Sequence, residues 1–203
     1  MPTPEEILTG LQLIADEHSL IAIFWHIVFY LYIASLIFRR MVPRREISLF
    51  ISVPLLSVSI LAWNTGNPFN GTVFALLFLL ALYFGFKNQP ESIHPSGNFF
   101  RMAGVVLMLF GLIYPHFAEI ELSLLIQSPL GLIPCPTLSL IIGFALFFRG
   151  FGSKPLVVLY TVAGLFYGFF GVFRLGVKVD AVLIAGSLIL GAAYFYFFRR
   201  TDQ

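Results

Sequence analysis

The stretch Leu20–Phe38 reads LIAIFWHIVFYLYIASLIF and runs straight into Arg39 and Arg40. It holds no Asp, Glu, Lys or Arg and a single histidine. As a helix it reaches about 28 Å, close to the ~30 Å hydrocarbon core of a bilayer. A buried helix of a soluble protein rarely stays uncharged for so long. The stretch therefore predicts a membrane span, retained in the chain: residues 1–19 contain no Lys or Arg and do not resemble a cleaved secretory signal.

The rest of the chain repeats the pattern. Further apolar blocks lie at Ile47–Trp63, Val73–Phe86, Met102–Ile120, Thr137–Phe148, Pro155–Phe173 and Ala181–Phe198. Over 203 residues 59% are hydrophobic and 11% charged, against about 25% charged in an ordinary soluble domain. So few charges cannot cover a water-facing surface, and lipid is the solvent that fits. The reading is an all-α polytopic integral membrane protein with seven transmembrane helices. Residues 1–19 form an amphipathic surface helix, 20–198 the membrane domain, and 199–203 a tail. Thr3 caps the first helix, Pro4 suits its first turn, and Glu5 and Glu6 favour the positive end of its dipole.

The loops set the orientation. Ten of the 12 basic residues fall on one side: Arg39, Arg40, Arg44, Arg45, Lys87, Arg101, Arg149, Lys154, Arg199 and Arg200. Only Arg174 and Lys178 fall on the other. The positive-inside rule places the ten in the cytoplasm. The N-terminus is then outside and the C-terminus inside, in a membrane of the bacterial inner, or plasma, type. An even number of spans would scramble this division.

Two blocks are short. Val73–Phe86 and Thr137–Phe148 reach only about 21 and 18 Å as helices. Each ends at a cytoplasmic charge, so each deficit lies at the outer end. Before the first stands Asn64–Thr72, which is polar. Before the second stands Ser128-Pro-Leu-Gly-Leu-Ile-Pro-Cys-Pro-Thr137, whose prolines forbid a regular helix. That segment is apolar, and irregular backbone at membrane depth survives only against protein or a wet cavity. It reads as a re-entrant-like outer segment before the fifth span, with Cys135 or Thr137 capping the helix that follows. Asn64, Asn67, His116, Cys135 and Thr137 are the pocket candidates. A tight, dry loop shaped by Pro and Gly is the competing reading.

Other residues carry less. His26 lies inside the first span, where an ionisable group is a functional candidate by default, although it can simply bond a neighbouring helix. His26, His116 and Cys135 are the residues that could reach a metal. Cys135 is the only cysteine, so there is no internal disulfide. Gly164, Gly168 and Gly171, with Ser187 and Gly191, suit close helix packing, within the chain or in a homo-oligomer. No phosphate loop, zinc-helix or nucleophile-elbow motif occurs. There is no basic stretch interleaved with aromatics to suit nucleic acid, and no Lys in the last span to hold retinal.

Tyr114-Pro115, then Gly131-Leu-Ile-Pro134-Cys135-Pro136-Thr137 and Gly143, resembles the signature of a bacterial family of small polytopic membrane proteins defined only as a domain of unknown function. The resemblance spans roughly residues 60–198, and Pro-Cys-Pro-Thr is its specific part. The stretch from His116 to Ser128 departs from the pattern. The resemblance implies that the Pro-Cys-Pro-Thr segment is a hallmark, but it implies no activity. The sequence as a whole predicts a non-enzymatic membrane protein without cofactor that binds or transports a small solute or ion through an outward-facing pocket. The alternatives are a metal- or haem-binding redox or assembly protein, and a structural subunit of a larger membrane complex.

Overall fold

The computed structural model describes residues 3–39, 41–87, 92–115 and 124–198. Among the described residues the regular structure is helical apart from one two-residue strand pair. The helices are α1 (Pro4–Glu17), α2 (Ser19–Ile37), α3 (Arg44–Asn64), α4 (Pro68–Lys87), α5 (Asn98–Leu112), α6 (Leu124–Gln127), α7 (Pro134–Phe147), α8 (Lys154–Phe169) and α9 (Ala181–Phe198). Strands β1 (Val42–Pro43) and β2 (Ser92–Ile93) pair antiparallel, with Val42 opposite Ile93.

Five helical segments are long and apolar enough to cross a membrane: Ser19–Leu36, Arg44–Asn64, Pro68–Lys87, Lys154–Arg174 and Lys178–Phe198. Their outward faces are oily. Leu31, Leu76, Val162 and Phe195 are exposed, while Ser48, Ser52, Ser59, Ser139 and Ser187 are buried. In water this distribution would be inverted; in lipid it is the expected sorting.

α7 is the axis of the molecule. Pro134 and every residue from Pro136 to Leu146 are buried, as suits a helix that is apolar all round. It packs against α3, α5, α8 and α9, and its Phe144 ring lies 6.1 Å from that of Phe29 in α2. The seam with α5 is backbone on backbone. A Cβ on Gly143 would stand 2.7 Å from the Gly104 carbonyl oxygen, and one on Gly111 would stand 2.7 Å from that of Pro136. The small residues of the last two helices also meet within the chain, Gly164 against Ser187 and Gly191 against Thr161.

α1 starts at the anticipated Thr3 cap, which the structure completes as a capping box with Glu6. The Thr3 hydroxyl accepts from Glu6 N, and Thr3 N donates to the Glu6 carboxylate. Its Ile14 packs with Ala22, Leu61, Leu132 and Ile133, so α1 rests partly on the bundle.

Three boundaries differ from expectation, each for a local reason. The block at Val73–Phe86 is not short: α4 starts at Pro68 and has 20 residues. Asn67 Oδ1 accepts from Asn70 N at 3.0 Å, and Pro68 sits where its missing N–H costs nothing. The polar residues 68–72 are thus the first turn of a full-length helix. α5 ends at Leu112, because Pro115 cannot donate to the carbonyl of Gly111. α7 starts at Pro134 with Ile133 at its cap position and no side-chain cap, so neither Cys135 nor Thr137 plays that part. Two of the four N–H groups left free by a helix start are removed by Pro134 and Pro136 themselves.

Candidate functional site

The irregular segment 128–133 folds as buried turns against the top of α7. Gly131 has φ +72, and a Cβ there would meet the Trp25 ring at 2.3 Å, so only glycine fits. Thr137 Oγ1 accepts from Gly131 N at 2.9 Å and donates to the Ile133 carbonyl at 2.8 Å. Thr137 is fully buried and locks the turn onto the helix.

Cys135, two residues earlier, points elsewhere, because two residues on a helix are about 200° apart. Its Sγ lies 3.3 Å from Asp180 Oδ2, to which it donates. The other carboxylate oxygen accepts from the Tyr114 hydroxyl. Asp180 is 2% exposed and Tyr114 1% exposed. The three side chains come from the ends of α7, α9 and α5, at the opposite end of the bundle from Arg44 and Lys154.

The neighbouring backbone is shaped around the carboxylate. α8 gives way to a π-helical turn, Phe170–Arg174, and Gly171 in that turn leaves the space Asp180 fills. A Cβ there would lie 1.8 Å from Asp180 Oδ2. π-turns of this kind often mark functional sites in helices. One turn before, the Tyr167 hydroxyl donates to Asn70 Oδ1 at 2.9 Å, tying α8 to α4. Among the described residues the ion pair present is Arg39–Glu46, at the other end. The described partners of Asp180 are thus a thiol and a phenol, both neutral donors.

The sequence-derived candidates do not converge. Asn64 is exposed at the end of α3, and Asn67 is occupied in starting α4. Cys135 and Thr137 sit on different faces of α7. His116 lies outside the described residues. His26 is fully buried. Its Nδ1 faces the Ala22 carbonyl at 2.8 Å and its Nε2 the Leu112 carbonyl at 2.9 Å. It therefore joins α2 to the carbonyl left open where α5 stops. Among the described residues no three His, Cys, Asp or Glu side chains group closely enough to hold a metal ion.

Asp180 and Tyr114 are the additions that sequence reading missed. The position of Asp180 directly before an uncharged span was the available signal. No family model, curated protein or solved structure matches this chain.

Proposed function

We propose that the chain is an integral membrane protein of seven spans, N-terminus outside, which binds and passes a small cation at an outer polar centre built on Asp180. The five long segments are completed by α5 and α7. α5 presents Phe99, Met102, Val106 and Leu109 outward, a stripe at helical spacing that suits lipid. The division of the basic residues along the sequence orients the bundle in this reading. The buried turns 128–133 are the re-entrant-like segment of this reading, and they bring the Pro-Cys-Pro-Thr motif into contact with Asp180.

The observation that carries the proposal is a buried carboxylate bonded by Cys135 and Tyr114 alone among the described residues. An ionisable group at membrane depth is costly and marks ion or proton pathways by default. The packing around Gly171 leaves no room for a large ligand beside the carboxylate. A proton fits without rearrangement, since a carboxyl group is able to hold and release one. No catalytic role is assigned.

Proteoliposomes carrying the purified protein test this. Proton, sodium and potassium fluxes are compared between wild type and Asp180→Asn, which keeps shape and removes charge. Wild type should conduct one of these ions and the variant should not. Equal fluxes in the two, or none in either, would end the reading.

A further inference from the structure

At the opposite end of α7 and α9, about 27 Å from Asp180 along α9, the described residues line a cavity of about 610 Å3. Five basic side chains share its wall: Arg44, Lys87, His94, Arg149 and Lys154. No acidic side chain is among the described lining; Glu91, just before Ser92 of that wall, lies outside the described residues.

The convergence is built by the fold. The β1–β2 pair brings the segments that end in Arg44 and His94 side by side. Arg149, Gly150, Phe151 and Gly152 have φ of 50, 63, 56 and 61. This left-handed turn reverses the chain at once and sets Arg149 and Lys154 on the same rim. Two of those four residues are not glycine, a conformation that L-residues adopt at a cost. Arg44 is 4% exposed and donates from a guanidinium nitrogen to the Gly152 carbonyl at 3.0 Å, so it is held inside the wall and not left trailing in solvent. α3 begins on Arg44 and α8 on Lys154. Two positive helix ends thus add to the side-chain charge.

The positive-inside rule requires basic residues at this end of the bundle, but it does not require them to share one cavity. Lys87, Arg149 and Lys154 are exposed on its rim, and an anion between them would relieve their mutual repulsion. The remainder of the wall sets Phe84, Phe197 and Phe198 beside Ser92 and Ser153, and the helices that supply those rings, α4 and α9, also expose Phe86, Phe195 and Tyr196. A ligand with an anionic head and a hydrocarbon tail fits both halves. We propose that this cavity binds a phosphate group, and that its source is the headgroup of an anionic phospholipid whose acyl chains leave along α4 and α9. The volume falls within the range of small-ligand sites, and basic pockets between membrane helices have the chemistry for such headgroups.

The test uses the full-length protein in detergent micelles, titrated with phosphatidylglycerol, phosphatidylcholine, inorganic phosphate and ATP. Binding is read by the shift in melting temperature and by native mass spectrometry. The wild type should prefer phosphatidylglycerol to phosphatidylcholine. The combined variant Lys87→Gln, Arg149→Gln, Lys154→Gln touches only exposed side chains. It should weaken phosphatidylglycerol by on the order of a hundredfold, about fivefold per charge. Lys154→Glu alone should weaken it in the same direction. Arg101→Gln, at the same end but outside the cavity, should leave it unchanged. Unchanged binding in the combined variant, or an equal loss in Arg101→Gln, overturns the site. Tighter binding of inorganic phosphate or ATP than of phosphatidylglycerol, lost in the combined variant, overturns the lipid source.

Discussion

Gly143→Ala puts a methyl group on the seam where α5 and α7 touch backbone to backbone. The new Cβ would stand 2.7 Å from the Gly104 carbonyl oxygen and from Met108 Cγ, and 2.8 Å from Met108 N. Two of these three obstacles are backbone atoms, which no rotamer change can move. Comfortable carbon contacts begin near ~3.5 Å, so the helices must part by about 0.7 Å. A gap of that size forfeits a quarter to a half of each contact's ~0.1–0.2 kcal/mol. Over about 30 atom contacts along the seam the loss is about 1–2 kcal/mol, within the usual cost of overpacking. Gly104→Ala meets the Gly143 carbonyl oxygen at 2.6 Å and Phe147 N at 2.9 Å, and it forces the same parting. The double variant should therefore cost clearly less than the sum of the two, since one separation accommodates both methyl groups. Reversible denaturant unfolding in mixed micelles measures all four forms. A Gly143→Ala protein within about 0.5 kcal/mol of wild type, or full additivity in the double variant, would refute the direct backbone contact.

Three further outcomes follow from other parts of the bundle. His26→Ala should lower stability by about 1–3 kcal/mol, because the buried Leu112 carbonyl loses its donor; an unchanged melt would remove the α2–α5 bridge. A small membrane-impermeant thiol reagent added from the outer side should label Cys135 slowly in wild type and faster in Asp180→Ala, where the thiol has lost its acceptor; labelling only from the Arg-rich side contradicts the orientation. Reporter fusions after Arg45 and Ser153 should report cytoplasm and those after Gly66 and Val177 the outside, and two reversals would end the seven-span reading.

The long apolar helices were legible because lipid imposes a one-dimensional rule on a sequence: charges stop where hydrocarbon starts. That rule located Leu20–Phe38 and Ala181–Phe198 within a residue or two of α2 and α9. It failed at α4, where the block was started at Val73 because Asn70 and Thr72 are polar. Yet Thr72 bonds the Pro68 carbonyl within its own helix and Asn70 accepts from Tyr167, so neither needs water. Capping chemistry at Asn67-Pro68 was the better guide. The turns at 128–133 were legible as irregular and buried, but Pro134–Thr137, expected to be irregular too, is the first turn of α7, and the partner of Cys135 was not legible at all. Asp180 lies 45 residues from Cys135, and nothing in local spacing brings the two together. Likewise Arg44, Lys87, Arg149 and Lys154 served as markers of orientation, and only tertiary structure shows that they face one space.

The enclosure of α7 has a consequence for how the chain is made. Helices that precede it, α2, α3 and α5, cover part of its circumference, and helices that follow it, α8 and α9, cover the rest. During synthesis α7 leaves the ribosome when only the first half of its sheath exists. It is 14 residues long and cannot bridge a bilayer unaided. In the folded bundle the glycine seam on α5 offers it a protein surface in place of lipid. The left-handed turn at 149–152 then leaves no slack, and α8 must enter directly alongside. On the seven-span reading, a chain cut off after α7 should therefore hold that helix less firmly than the full bundle, in which α8 and α9 complete its enclosure.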